Sequence, residues 1–166
     1  MNRYVVILLC APAWAFAASE APQASVANDC QALYDAKDFT QARDACTTAA
    51  NKGDVQARYL LGRMYEEGEG VSKDEAAAVK WYRQAAEAGH PVSQRRLAGA
   101  YALGRGVAKD EKLGLYWIQQ AAKNGDTRAQ KQLAFGYQMG IGGLPKDEKL
   151  AREWRERAAK SKSQNK

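Results

Sequence analysis

The sequence predicts an all-α protein, a right-handed α-solenoid of antiparallel helix-turn-helix repeats. The first observation is an internal period, because Leu61, Leu97 and Leu133 are 36 residues apart and the tyrosines and glycines that follow them keep the same spacing. The second is that each period holds two segments with apolar residues at helical spacing, separated by a Gly-x-Gly turn. Such a helix pair cannot bury its apolar face alone, so the copies are expected to stack on one another.

Three copies follow one another along the chain, at residues 54–89, 90–125 and 126–160. Their tryptophans are 36 and then 37 residues apart, and the extra residue falls in the loop 141–145 of the third copy, where an insertion costs little. The recurring tryptophans are expected to be core residues; they are Trp81, Trp117 and Trp154.

Glycine and aspartate mark the helix boundaries inside each copy. Glycine tolerates the positive φ of a helix end, and aspartate can accept hydrogen bonds from the free N–H groups at a helix start. The predicted ends of the first helices are Gly68, Gly104 and Gly140, and the predicted starts of the second helices are Asp74, Asp110 and Asp147.

The combined pattern, A-x-x-x-L-G-x-x-Y-x-x-G-x-G-V-x-K-D-x-x-x-A-x-x-W-x-x-x-A-A-x-x-G, resembles the Sel-one-like repeat, a relative of the tetratricopeptide repeat. The resemblance covers residues 54–160 in three copies. Departures are small: Gly114 replaces the usual alanine of the second helix, and the third copy lacks its closing glycine. The resemblance implies a scaffold that binds other proteins.

A shorter hairpin, similar to a tetratricopeptide unit, is predicted upstream at residues 28–53, with its turn at Lys37-Asp38. Cys30 and Cys46 each lie eight residues from Asp38, so antiparallel helices would bring them together. A disulfide closing a loop of about 15 residues contributes on the order of 3 kcal/mol in the chain-entropy model. The alternative is two buried thiols that pack as small apolar groups.

The N-terminal residues have the layout of a cleaved signal peptide, residues 1–17. Arg3 precedes a mostly apolar run at 4–14, and residues 15–17 give the small-x-small pattern of a cleavage site. The apolar run is shorter than the roughly 20 residues of a membrane-spanning helix. We therefore expect an exported, periplasmic protein with a flexible leader at 18–27 and a basic tail at 161–166.

The full chain has a net charge of +6, and removal of Arg3 with the signal peptide would lower it by one. An exported protein rarely meets nucleic acid, so anionic protein surfaces or lipid headgroups are the expected counterparts. The alternative is that the charge only keeps the protein soluble.

No pattern of catalytic or metal-binding residues stands out. His90 is the single histidine, and in the neighbouring copies its position is taken by Asp54 and Asp126, so it is expected to cap a helix or lie in the turn. The cysteines and His90 lack zinc-ligand spacing, and there is no G-x-S-x-G element. We predict no catalytic residues, no metal, no cofactor and no enzymatic activity.

The predicted partner-binding residues lie on the first helices, at positions that differ between copies and would line the concave face of the solenoid. Arginine, lysine and aromatic side chains are typical of binding surfaces. The predicted set is Arg58, Tyr59, Arg63, Arg95, Arg96, Lys131, Phe135 and Gln138. The alternative is an ordinary solvated helix face. If the set binds a partner, Arg95→Glu with Lys131→Glu is expected to abolish partner capture and to leave the fold intact.

The resemblance implies a protein-binding module that acts as adaptor, regulator or inhibitor of an envelope protein. An immunity protein that neutralises a periplasm-delivered toxic effector, such as a phospholipase, is one such role. Two alternatives stay open. One is a β-lactam-binding or β-lactam-hydrolysing enzyme, although its cysteine-rich relatives carry a cysteine pair in every repeat and this chain has a single pair after processing. The other is weak binding to anionic lipid or cell-wall polymer.

Overall fold

Eight α-helices make up the described part of the chain, which runs from residue 25 to 164 in this computed structural model, with side chains described for 29–161. No strand occurs within those bounds. The helices are α1 (Ser25–Asp35), α2 (Phe39–Asn51), α3 (Val55–Glu67), α4 (Glu75–Glu87), α5 (Pro91–Leu103), α6 (Glu111–Lys123), α7 (Thr127–Met139) and α8 (Glu148–Gln164). The predicted signal peptide and residues 18–24 of the predicted leader lie outside the described residues.

The helices form four antiparallel hairpins that stack in chain order. Each helix packs mainly against the helix before it and the helix after it, and α1 also reaches α3. Contacts limited to neighbours are typical of a solenoid. Two boundaries differ from the prediction: α1 begins at Ser25, inside the predicted leader, and α8 runs to Gln164, beyond the predicted repeat end at residue 160.

The predicted caps are confirmed. The side chains of Asp74, Asp110 and Asp147 each accept a hydrogen bond of 2.9 Å from a backbone N–H three residues on. The first helices end at left-handed glycines, with φ of 78° at Gly68 and 70° at Gly104. Helix α7, the first helix of the third copy, ends in the same way at Gly140.

The second glycine of each of the first two turns has a different task. Gly70 and Gly106 have φ of 69° and 62°, and a Cβ at either position would overlap the backbone of the preceding hairpin, at Phe39 and Glu75 respectively. These turns therefore need glycine for contact between repeats as well as for backbone conformation. In the third copy the inserted loop breaks this pattern, and a Cβ at Gly142 would meet nothing within 4 Å.

The N-terminal hairpin is closed as predicted. Cys30 and Cys46 form a disulfide with a Cα–Cα distance of 4.8 Å, and both are almost fully buried. The turn falls at Lys37, whose φ is 63°, and Asp38 caps α2. The bond joins α1 to α2 within a buried cluster that also includes Leu60, Leu61 and Met64 of α3.

The three repeated tryptophans were predicted to be core, and this was right only in part. All three are half-buried and pack against the edges of the buried clusters. The fully buried positions belong instead to alanines and to the leucines of the first helices, such as Leu97 and Leu133. An indole ring is too large to fit between closely packed helices, so it lies across their edge.

Candidate protein-binding groove

A groove of about 1090 Å³ runs over repeats 1 to 3. Its walls come from the first helices α3, α5 and α7 and from the facing sides of α4 and α6. The loop 141–144 closes the far end. The groove therefore lies where the first helices of successive hairpins stand side by side.

The structure brings only part of the predicted binding set together. Arg95, Arg96 and Phe135 line the groove. Lys131 and Gln138 are exposed on α7 beside it. Arg58, Tyr59 and Arg63 lie on α3, outside the groove lining.

Arg58 is tied to the fold, not to a partner surface. Its Nε–H donates to the carbonyl of Ala50 at 3.2 Å. The equivalent Gln94 and Gln130 donate in the same way to the carbonyls eight residues before them, at 2.9 and 3.0 Å. This position thus joins each first helix to the end of the preceding hairpin. Arg58 therefore has a structural role, and its role in partner binding stays a prediction.

Arg95 has a structural partner as well. Its Nε–H donates to both carboxylate oxygens of Asp126, at 3.1 and 3.0 Å. Asp126 is buried and also caps α7 by accepting from the backbone N–H of Ala129 at 2.7 Å. A glutamate at position 95 would set two carboxylates against each other in a buried place. The structure therefore gives a physical reason to expect that Arg95→Glu weakens the fold, so this variant does not isolate partner binding.

The end of the groove at α3 is polar. Tyr82 donates a 2.6 Å hydrogen bond to Glu66, and Arg96 lies 3.3 Å from the same carboxylate oxygen. Burial and this hydrogen bond raise the pKa of Tyr82. Glu66 thus joins α3, α4 and α5 at one point.

A second polar group lies on α3, outside the groove lining. Arg63 stacks over the ring of Tyr34 at 5.2 Å, and Tyr34 donates to Glu69 at 2.6 Å. Burial, followed by this hydrogen bond, raises the pKa of Tyr34. Nearby, the rings of Tyr59 and His90 are 4.8 Å apart. The side chains of α3 therefore contact both the N-terminal hairpin and the start of the second repeat.

The opposite end of the groove is apolar and exposed. Leu103, Phe135 and Ile141 line it with 61%, 56% and 49% of their surfaces accessible. Sequence reasoning named Phe135 but missed Leu103 and Ile141. A signal was present for Leu103, because Glu67 takes the equivalent solvent-facing place in the first copy.

His90 caps α5, within the expectation that it caps a helix or lies in the turn. Its Nδ1 accepts from the backbone N–H of Ser93 at 3.2 Å and lies 2.9 Å from the Ser93 hydroxyl. A serine beside a histidine could act as a nucleophile, but Ser93 is fully buried under the start of the helix. Burial lowers the pKa of His90, and the charge of Asp126 acts in the opposite direction. The pair is therefore a capping device.

Two further features are absent from the described residues. Between residues 25 and 164, no helix is long and apolar enough to cross a membrane. In the same part of the chain, no group of three or more histidine, cysteine, aspartate or glutamate side chains is arranged to hold a metal ion.

Stacked helical hairpins with a groove over their first helices define the class of protein as an α-solenoid of interaction repeats. The Sel1 repeat family model matches residues 55–90, 91–126 and 127–163, and the chain belongs to the Sel1 repeat family. The resemblance drawn from the sequence and the predicted fold class are thereby confirmed. Sel1 repeats serve as protein–protein interaction modules.

Solved structures share the fold. A Sel1 repeat protein from Oxalobacter formigenes is 33% identical with a TM-score of 0.75, over 81% of this chain and 54% of that one. The c5321 protective antigen of uropathogenic Escherichia coli, which displays an SLR fold, is 39% identical with a TM-score of 0.67, over 74% of this chain and 26% of that one. The chain thus spans about half of the first structure and a quarter of the second.

Curated relatives match over a short segment. Chitin synthase regulatory factor 3 of Schizosaccharomyces pombe is 45% identical over 49 residues, which is 30% of this chain and 5% of that protein. DAP3-binding cell death enhancer 1 of Rattus norvegicus is 45% identical over 49 residues, 10% of its length. These matches are about as long as one repeat and part of the next.

Proposed function

We propose that this chain is a periplasmic protein-binding module that holds an envelope protein in the part of its groove formed by repeats 2 and 3. The observation that carries the proposal is the exposed apolar end of the groove, formed by Leu103, Phe135 and Ile141. Large apolar side chains grouped in one concave place on a protein surface mark interaction sites. The family supports the coarser part of this proposal, since Sel1 repeats mediate protein–protein binding.

The periplasmic location rests on two features of the chain. Residues 1–17 have the pattern of a cleaved signal peptide. The disulfide between Cys30 and Cys46 suits an oxidising compartment. Fractionation of host cells and N-terminal sequencing of the processed chain would test the location, and a chain retained uncleaved in the cytoplasm would contradict it.

Within this proposal, the chain acts on its partner as an adaptor, a regulator or a stoichiometric inhibitor. The names of two relatives speak of regulating or binding another protein. An inhibitor of this kind could be an immunity protein against a toxic effector delivered into the periplasm, such as a phospholipase. Titrating the purified chain into the activity assay of the captured partner separates the roles, because an inhibitor stops activity at one equivalent.

The test compares two double charge reversals of equal size. Arg105→Glu with Lys131→Glu changes exposed cations in and beside the groove, neither of which has an ion pair among the described residues. Lys80→Glu with Lys123→Glu changes exposed lysines of α4 and α6 outside the groove lining and serves as the control.

Capture from an oxidised envelope extract, read by mass spectrometry, is expected to retain one dominant partner on the wild type and on the control. The groove variant is expected to lose it, with an unchanged circular dichroism spectrum. Equal retention by all three proteins would contradict the groove assignment. Retention of anionic lipid in place of a protein would contradict the protein-binding function.

A further inference from the structure

Gly99 is the unusual residue of the groove floor. The described helices contain four interior glycines, and three are packed against neighbours: a Cβ at Gly62 would lie 2.5 Å from the Tyr82 ring, and one at Gly136 would lie 2.7 Å from Leu144. At Gly114 the backbone of α5 is the neighbour. A Cβ at Gly99 would meet nothing within 4 Å.

Packing therefore does not account for a glycine at this position. Glycine weakens the interior of a helix relative to alanine, so its presence in α5 lowers helix stability without a contact in return. The equivalent positions in the neighbouring copies hold the large side chains Arg63 and Phe135. Gly99 lines the groove and leaves open space there, whereas the equivalent position of the next copy carries the ring of Phe135.

The surroundings of this gap describe what fits it. Leu103 lies one helical turn further along α5, on the same face, and Phe135 of α7 lines the same groove. Both are more than half exposed. An apolar side chain bound at Gly99 would bury part of this exposed apolar surface, which is favourable because apolar surface leaves water.

The charges at the groove lip favour an acidic neighbour. Among the residues that line the groove, Glu66 pairs with Arg96 and Glu111 pairs with Lys109. The lining charges without an ion pair among the described residues are one carboxylate and two cations: Glu75, Arg105 and Lys112. The balance at the lip is therefore positive.

We infer that the gap at Gly99 is a socket for one bulky apolar side chain of a bound protein segment that carries an acidic residue close to it. This inference rests on the proposed function and names the chemistry of the partner. Four residues of α5 separate Gly99 from Leu103, about 6 Å at the helical rise, and Arg105 follows directly after the Gly104 cap, so the separation is on the order of 10 Å. An extended segment covers that distance in about three residues, so the acidic residue lies within about three positions of the socketed one.

The experiment pans a phage library of random linear peptides against the wild type, Gly99→Ala and Gly99→Trp. The wild type is expected to enrich peptides with one Phe, Trp or Leu and an Asp or Glu within about three positions. Gly99→Trp fills the socket and is expected to bind the enriched peptide about tenfold or more weakly, since one apolar side chain loses its burial. Gly99→Ala controls for the change in helix propensity and is expected to keep most of the binding.

Several results would overturn the inference. They are equal binding of the enriched peptide to the wild type and Gly99→Trp, enrichment without the acidic residue, and no enrichment on the wild type. Self-association that Gly99→Trp abolishes would identify a second copy as the occupant and would overturn it too. Its failure is separable from that of the proposed function, because loss of the natural partner by the groove charge variant but not by Gly99→Trp removes only the socket.

Discussion

The first half of this solenoid (α1–α4) and the second half (α5–α8) are built from the same kind of hairpin but differ in what their side chains contact. In the first half, the concave side chains of α3 are engaged: Arg63 stacks on Tyr34, and Glu66 holds Arg96 and Tyr82. A disulfide closes the adjoining hairpin. In the second half, α5 and α7 leave large apolar side chains uncovered in the groove. The contacts of the first half are internal to the fold, whereas the second half carries the exposed apolar surface on which the proposed function rests.

Removal of the disulfide should have the largest effect on stability, and the effect should be confined to the first half. Cys30→Ser with Cys46→Ser is expected to lower the free energy of unfolding by about 3 kcal/mol in the chain-entropy model. Native-state hydrogen exchange should show the loss of protection in α1–α3, with α7 and α8 little changed, because contacts in the array join neighbouring helices. An even loss over all eight helices would contradict the division into halves.

A matched pair of glycine substitutions compares how tightly the two halves are packed. Gly62→Ala puts a methyl group 2.5 Å from the Tyr82 ring, whose hydroxyl is held by Glu66, so overpacking should cost about 1–3 kcal/mol. Gly99→Ala meets nothing within 4 Å and should stabilise α5 by up to about 1 kcal/mol. Urea denaturation measures both, and a stabilising Gly62→Ala would show that the first half is less tightly packed than the structure has it.

Substitutions at position 58 test whether the Arg58 side chain stabilises the fold. Arg58→Ala removes the hydrogen bond to the Ala50 carbonyl and should cost about 1 kcal/mol. Arg58→Gln copies the equivalent Gln94 and Gln130 and should cost much less. The exposed Lys131→Ala should change stability by less than about 0.5 kcal/mol. Equal losses for all three changes in thermal denaturation would contradict the fastening role of Arg58.

The smallest expected effect is a pH dependence from His90. The cap needs a neutral Nδ1, and burial lowers the pKa of His90 in the folded protein, so the unfolded chain binds its proton first as the pH falls. The free energy of unfolding should decline as the pH falls below the ordinary histidine pKa of about 6.5. The decline should not exceed the contribution of one helix cap, about 1 kcal/mol. Asp126 and the stacked Tyr59 are the titratable neighbours.

The control is His90→Asn, which retains a capping oxygen and does not titrate. Urea midpoints at pH 7.5 and 5.5, compared between wild type and variant, isolate the histidine. Parallel declines in both proteins would assign the pH dependence to other groups.

Local chemistry explains how much of the fold could be predicted. Gly68 and Asp74 mark helix ends through bonds within a few residues, so the sequence alone locates them. The disulfide followed from the equal spacing of Cys30 and Cys46 about one turn. The tryptophan prediction was only partly right because periodicity tells which face a ring occupies, not how deep it sits.

The candidate site could be predicted only in part for a similar reason. Helical spacing placed Arg95 on an inner face, but its partner Asp126 lies 31 residues away, and only the stacking of the third repeat on the second brings them together. The gap at Gly99 and the exposure of Ile141 likewise depend on what neighbouring helices leave empty. Periodic patterns carry no information on such absences.

Photo-cross-linking in living host cells tests most directly whether the partner binds the second half of the concave side. A photoreactive phenylalanine analogue replaces Phe135 in the groove or, as control, Lys80 outside it. If the partner binds there, we expect a discrete high-mass adduct from position 135 and none from position 80. An adduct from position 80 alone, equal adducts from both positions, or no adduct from either would contradict it.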